Sequence, residues 1–270
     1  MDLTRELEVA ASLCRRAGDI VLRHRQPGLA VDHKDHGEPV TAADREANAL
    51  ITHDLRATFP ADAILSEESA EVGDHVRDAR VWMVDPLDGT RDYVKGNEGF
   101  AVMIGLCVDG RPALGVVYQP LHTTLYRAVA GGGAAVEADG RTRPLRVSAV
   151  ADPSAARLVS SATRRAPKLD QVRAALAITD EIHLGSVGLK VGLIASGARD
   201  LFVHTDPTTK LWDVCAPEAI LVEAGGKLTD LRGAPIDYRR ADLANRGGLL
   251  ASNGLLHDAV TRVTAGIEVA

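Results

Sequence analysis

The sequence predicts two mixed lobes: an α+β unit over residues 1–150 and an α/β unit over 151–270, with a ligand cleft between them. Helical periodicity dominates the first 60 or so residues, and paired strand patterns follow to about residue 140. Strand and helix patterns then alternate to the end, as in an α/β layer. At 46% hydrophobic residues the chain can bury a large core, and at 3% aromatic that core must consist mainly of Ala, Val, Leu and Ile.

Leu3, Leu7, Ala10, Cys14, Ala17 and Val21 recur at helical spacing over 3–24. The polar run His33-Lys34-Asp35-His36-Gly37-Glu38-Pro39 reads as a loop. A second helix is expected from the N-cap Thr41, with Asp44 three residues on and Ala43, Ala47, Leu50, Ile51 and Leu55 as its apolar stripe, ending before Pro60. Short strands follow at 63–65 and 81–84, the latter buried. Strands 100–108 and 113–118 flank the turn Asp109-Gly110-Arg111-Pro112, and strands 125–129 and 134–137 flank Gly131-Gly132-Gly133. In the second half a strand at 158–161 precedes a helix at 167–176. Strand 181–184 passes through Gly185-Ser186 into a helix ending near 195. Strand 200–203 precedes a helix at 214–224, and strand 249–251 precedes a terminal helix at 256–264. No repeat, low-complexity tract or long linker interrupts this order.

The 31 basic and 37 acidic residues are interspersed and leave a formal charge of −6, which argues against a nucleic-acid polymer as partner. An anionic small molecule is compatible with it, because bound cations reverse the local charge. Cys14, Cys107 and Cys215 form no CxxC pair and are odd in number, so neither a disulfide framework nor a structural zinc site is expected. The opening Met1-Asp2-Leu3-Thr4-Arg5-Glu6 lacks a signal-peptide pattern, and no apolar run approaches the roughly 20 residues of a membrane span. A cytoplasmic protein is expected.

The densest chemical signal is Trp82-Met83-Val84-Asp85-Pro86-Leu87-Asp88-Gly89-Thr90. A buried strand ends in an acid and turns through Pro and Gly. Pro86 holds the preceding residue extended, and Gly89 lets backbone approach a ligand. Two carboxylates so placed repel each other and suit a hard divalent cation. An Asp-rich turn capping the next element accounts for the same residues. Three further segments bear on the choice. Ser66-Glu67-Glu68-Ser69 follows a short strand, Thr41-Ala42-Ala43-Asp44 opens a helix, and Leu211-Trp212-Asp213 precedes one. Each alone fits a helix cap or a surface acid.

Taken together, these segments resemble the inositol monophosphatase superfamily of metal-dependent, lithium-sensitive phosphatases. The likeness covers nearly the whole chain through Pro39-Val40-Thr41-Ala42-Ala43-Asp44, Ser66 to Ser69, Trp82 to Thr90, and Trp212-Asp213 with the Ala-rich helix and Gly225-Gly226 after it. The resemblance implies the αβαβα layered sandwich of inositol-monophosphatase-like sugar phosphatases. It implies side-chain metal ligands at Glu67, Asp85, Asp88 and Asp213, a backbone ligand at Leu87, and two or three Mg²⁺. Within the superfamily, Lys210 to Leu221 and Gly185-Ser186-Val187-Gly188-Leu189-Lys190 resemble the 3′(2′),5′-bisphosphate nucleotidases most. Lys190, a cation beside a helix N-terminus, then holds the phosphate that is not cleaved; a solvated surface lysine is the alternative. Where relatives carry Ser-Arg-Ser-His, this chain has Ser161-Ala162-Thr163-Arg164, so a histidine facing the nucleotide is replaced. Thr163, Arg164, Gly185, Ser186 and Asp213 complete the expected substrate contacts.

The implied reaction is in-line attack of water on a phosphomonoester. Thr90 helps activate the water with Asp44 accepting the hydrogen bond from its hydroxyl, Glu67 orients it, and the N–H groups of Gly89 and Thr90 cradle the phosphate. Thr90 is no nucleophile, for no His or Lys base stands beside it in sequence. Lys34 is assigned to closing over the site, against the alternative of a solvated loop lysine. His33, His36, His122, His183 and His204 show no zinc spacing and read as surface or loop residues. The expected substrate is 3′-phosphoadenosine 5′-phosphate, converted to AMP and phosphate by a monomer or homodimer, with its sulfated analogue second. An inositol, histidinol or sugar monophosphatase is the enzymatic alternative. A binding protein on the same fold is the other, and the complete ligand set speaks against it.

Overall fold

In the computed structural model, residues 1–26, 31–33, 39–68, 78–161, 167–267 and 269 are described. Lys34, Thr163 and Arg164 lie outside them. The chain opens with α1 (Thr4–His24), β1 (Val31–His33), β2 (Pro39–Thr41) and α2 (Ala42–Thr58). Then come β3 (Ala63–Ser66), β4 (Arg80–Asp88), the short α3 (Thr90–Val94), β5 (Ala101–Val108), β6 (Arg111–Gln119), β7 (Thr124–Val129), β8 (Gly133–Ala138) and β9 (Arg141–Pro144). The remainder comprises β10 (Arg157–Ser161), α4 (Pro167–Ala175), β11 (Asp180–Leu184), α5 (Val187–Ala195), β12 (Leu201–His204), α6 (Trp212–Glu223), β13 (Lys227–Thr229), β14 (Leu249–Ser252) and α7 (His257–Thr264).

Strands β3 to β9 form one sheet in sequence order, antiparallel except for the parallel β3–β4 pair. The other sheet has the order β11-β10-β12-β14-β13, with β10 parallel to both neighbours. Strand alternation sorts the side chains into layers. Trp82, Val84, Val102, Ile104 and Val116 of the larger sheet meet Cys14, Ala17 and Val21 of α1 and Ile51 and Leu55 of α2. From the opposite face, Met83, Met103 and Val117 join Leu189 and Val191 of α5, Val214 and Ile220 of α6, and Phe202, Leu228 and Ala251 of the smaller sheet. The outer face of that sheet, through Leu158, Leu201 and Leu250, packs on Leu169 and Val172 of α4 and Val260 of α7. Helices, sheet, helices, sheet, helices: this is the αβαβα sandwich. The larger sheet ends with β9 at Pro144 and the smaller begins with β10 at Arg157, while α5 and α6 share one core with strands of both sheets.

Several local expectations are corrected. Strand β4 does not stop at 84 but continues to Asp88 through an irregular register between Asp85 and Asp88. The first hairpin turns on Asp109 and Gly110 alone, both at positive φ (50° and 76°), as an Asp-Gly two-residue turn requires; Arg111 and Pro112 already belong to β6. Helix α6 starts at Trp212 rather than 214, so Asp213 lies inside its first turn. Among the described residues no helix is long and apolar enough to cross a membrane. All three cysteines are buried and unpaired.

Candidate active site

The site begins where β4 gives out. Asp85 is 2% exposed, and its Oδ1 accepts a hydrogen bond from the Leu87 N–H at 3.0 Å, which closes the Asp-Pro-Leu turn. Gly89 then takes φ 93°, and a Cβ there would collide with the Gly99 carbonyl, so glycine alone serves. This sharp turn throws Thr90 into α3 beside Asp88. Glu67 arrives from β3, whose parallel pairing continues through the Glu67 N–H donating to the Val84 carbonyl at 3.1 Å.

Behind Thr90 stands Asp44. Its Oδ2 accepts from the Thr41 N–H at 2.8 Å and the Thr41 hydroxyl at 2.6 Å, and its Oδ1 accepts from the Thr90 hydroxyl at 3.2 Å. The two sequence readings of Asp44 thus coexist: it completes the capping box of α2 and it touches Thr90. Burial pushes its carboxyl up, against the pull of these three donors. The Thr90 hydroxyl also lies 2.9 Å from the Leu87 carbonyl, so its one proton is shared between two acceptors.

From the second half of the chain, the turn before α5 closes on Asp88. Oδ2 of Asp88 accepts from the Ser186 hydroxyl at 2.5 Å and the Gly188 N–H at 2.8 Å, while Ser186 Oγ caps α5 by accepting from the Leu189 N–H. Burial raises the Asp88 carboxyl, and these donors oppose it. Lys190 is not a surface lysine: it is 2% exposed, and its Nζ donates to the Gly185 carbonyl at 2.7 Å and the Leu184 carbonyl at 3.3 Å. Burial lowers its pKa to about 8, with Asp88, Asp92 and Asp213 pulling the other way. Asp213 comes from α6, where its Oδ2 accepts from the Lys210 N–H at 2.7 Å. The segment before it is braced by Asn245, whose Nδ2 donates to the Thr209 hydroxyl and the Lys210 carbonyl.

Glu67, Asp85, Leu87, Asp88, Gly89, Thr90, Gly185, Lys190 and Asp213 all line one cleft of about 340 Å³. Asp44 and Ser186 stand behind it, each bonded to a lining residue. Arg91, Asp92, Ser161, His204, Thr208, Thr209 and Lys210 also line it, and sequence reasoning missed them in that role. His204, expected on the surface or in a loop, ends β12 and is hydrogen-bonded to the Thr208 hydroxyl. His33 and His183 stand on strands β1 and β11 and are exposed, in keeping with a surface reading. The available signal for Arg91 and Asp92 was their position directly after the Asp-Gly-Thr turn; for His204, Thr208, Thr209 and Lys210 it was proximity in sequence to Asp213, and for Ser161 its place at the head of the Ser161-Ala162-Thr163-Arg164 stretch.

The donor set fits Mg²⁺. It is four carboxylates and a carbonyl, oxygen only, as a hard cation prefers. Asp85 is pushed well above the carboxylate range, first by burial and then by the negative charges of Glu67, Asp88 and Asp213, a repulsion that a cation would relieve. Among the described residues no three acidic, His or Cys side chains are grouped closely enough to hold a metal ion between them; the carboxylates line the cleft from three elements.

The chain is thus a five-layer sandwich with an acidic, oxygen-lined cleft where its two sheets meet. The sequence pattern of the inositol monophosphatase family matches residues 2–267. A histidinol-phosphatase of Mycobacterium tuberculosis is 34% identical over 97% of this chain and 98% of its own. A 3′(2′),5′-bisphosphate nucleotidase CysQ of Salmonella typhimurium is 35% identical over 86% and 93%. Among solved structures, an inositol monophosphatase from Anabaena superposes with a TM-score of 0.81 at 30% identity, covering 99% of this chain and 98% of that one. The chain belongs to the inositol monophosphatase family and is a phosphatase of that family.

Proposed function

We propose that this chain is a Mg²⁺-dependent phosphomonoester hydrolase acting as a 3′(2′),5′-bisphosphate nucleotidase, releasing phosphate from 3′-phosphoadenosine 5′-phosphate. The observation that carries the chemistry is the convergence of Glu67, Asp85, Asp88 and Asp213 on one cleft with the Thr90–Asp44 pair behind it. Those four side chains and the Leu87 carbonyl would hold the metal, which when bound neutralises charge developing on the phosphoryl and leaving oxygens. The chain's own part is orientation. Thr90 gives its proton to Asp44 or Leu87, so its oxygen lone pairs are left to accept from a water and aim it. Asp44, held by both Thr41 donors, cannot rotate away. The turn amides of Gly89 and Thr90 can cradle the phosphate.

The choice of a substrate with a second phosphate rests on Arg91 and Lys210 at the cleft, which form no ion pair among the described residues. It is further supported by the likeness to the bisphosphate nucleotidases. A histidinol-phosphate reading is favoured by Asp92, a 3% exposed carboxylate on the cleft suited to a substrate ammonium, and by the histidinol-phosphatase relative. Comparing kcat/KM for 3′-phosphoadenosine 5′-phosphate, histidinol phosphate and inositol 1-phosphate decides between them. The bisphosphate is expected to lead, and Lys210→Ala to cost about tenfold on it alone, roughly one lost charge-assisted contact. Histidinol phosphate leading instead, with Lys210→Ala neutral, would overturn the nucleotide reading.

A further inference from the structure

Lys190 borders the cleft, yet its side chain is almost wholly buried. A lysine with 2% exposure must have its ammonium satisfied inside the protein, because an unpaired buried charge is too costly to keep. The ammonium has three donors. Two reach the Gly185 and Leu184 carbonyls at 2.7 and 3.3 Å, and the nitrogen stands 4.8 Å from the centre of the Phe202 ring, a cation–π distance. Two of the three donors are thus engaged by the turn's own carbonyls, and the Phe202 ring covers the ammonium on a further side.

The two carbonyls belong to the turn that seats Asp88. Leu184 is the last residue of β11, and Gly185 leads directly into Ser186. The Ser186 N–H donates to the Gly99 carbonyl at 2.8 Å, and its hydroxyl and the Gly188 N–H both bond Asp88 Oδ2. The order is therefore ammonium, turn carbonyls, turn donors, carboxylate. Because both bonds fall on Oδ2, the turn fixes the rotation of the Asp88 carboxylate and so the direction of its Oδ1.

We infer that Lys190 is a positioning residue for the metal site, fastening the Leu184–Gly188 turn so that Asp88 is held in its ligating orientation, and is not a contact to the substrate's second phosphate. This rests on the reading of the cleft as a Mg²⁺-dependent phosphatase site, and it reassigns the residue that the likeness to nucleotidases had given to the substrate's second phosphate.

The test compares wild type with Lys190→Met, which keeps the unbranched buried stem and removes the ammonium. Mg²⁺ affinity is read by titration calorimetry, and kcat and KM are read on 3′-phosphoadenosine 5′-phosphate and inositol 1-phosphate. A positioning role predicts Mg²⁺ binding weakened about tenfold and kcat lowered by roughly 10- to 100-fold on both substrates alike, the usual range for groups that orient metal ligands. The ratio between the substrates stays put. A KM increase confined to the bisphosphate, with Mg²⁺ affinity unchanged, would make Lys190 a substrate contact and overturn the inference. A lower Tm with metal affinity and kcat unchanged would overturn it as well. Should Lys190→Met not fold, Ser186→Ala cuts the same link one step nearer Asp88 and must weaken Mg²⁺ binding likewise; an unchanged affinity there sinks the proposal. If the wild type binds Mg²⁺ yet releases no phosphate, the functional reading fails while calorimetry still decides the role of Lys190. A wild type that binds no Mg²⁺ contradicts both.

Discussion

Asp85 gathers the electrostatic cost of the site. It is buried, and three like charges face it, from Glu67, Asp88 and Asp213. Without a cation, an isosteric amide should be easier to bury than this carboxylate, since it keeps the volume and the acceptor for the Leu87 N–H while ending the repulsion. Asp85→Asn is therefore expected to melt at or above the wild-type temperature in EDTA, and to lose turnover in Mg²⁺. Scanning calorimetry reads the first; a Tm several degrees below wild type would mean that the cluster is not self-repelling. At this scale the sequence carried much of the site. The spacing of Asp85, Asp88 and Gly89 was legible because strand, proline and glycine leave the backbone few choices. Lys190 was not, because a single charge gives no burial signal by itself. The clue lay around it: it is the one charged residue between Leu184 and Ala198, in a helix that the fold buries on all sides.

Helix α6 shows why element boundaries fared less well. Sandwiched between two sheets, it buries apolar residues on more than one side, so no single amphipathic stripe marks its start. The five-residue α3 and three-residue β13 are too short for any period to register, and β9, exposed at all four positions, has no buried face to alternate. Close packing is equally hidden: at Gly115 of β6 a Cβ would run into the Ala216 carbonyl of α6, a contact between residues a hundred positions apart. Between β13, β14 and α7, His257 is 1% exposed, with Nδ1 2.9 Å from the Ser252 hydroxyl and Nε2 2.9 Å from that of Thr229. Thr229 donates its own proton to the Asp230 carbonyl, so Nε2 carries the ring proton and Nδ1 accepts. Burial lowers the imidazole pKa to about 4 from 6.5, with Lys227 adding to it. The folded pKa lies below the unfolded one, so this contribution is complete above pH 6.5 and is lost as pH falls towards 4, on the order of 3 kcal/mol in all. The Tm gap between wild type and His257→Gln should narrow from pH 7 to pH 4; a gap that does not change with pH would contradict the neutral assignment.

Across the whole molecule, the site exists only because the layers are stacked. Glu67 and Asp85 come from adjacent strands of the larger sheet, Asp213 from the middle helical layer, and the turn that holds Asp88 leaves the smaller sheet. Alternation of strand and helix patterns made the layers foreseeable. It left open which strand ends would meet, because that depends on α5 and α6 packing against both sheets. The cleft therefore stands or falls as a unit, and the proposed function predicts phosphate release that needs both the metal and the intact carboxylate set. The most direct test is steady-state phosphate release from a panel of phosphomonoesters, with and without Mg²⁺, for wild type and Asp88→Asn. Turnover is expected only for wild type with Mg²⁺, and at least about 100-fold lower for Asp88→Asn, in line with loss of an electrostatic catalytic element. Equal turnover in EDTA, or an Asp88→Asn variant as active as wild type, would contradict the site described.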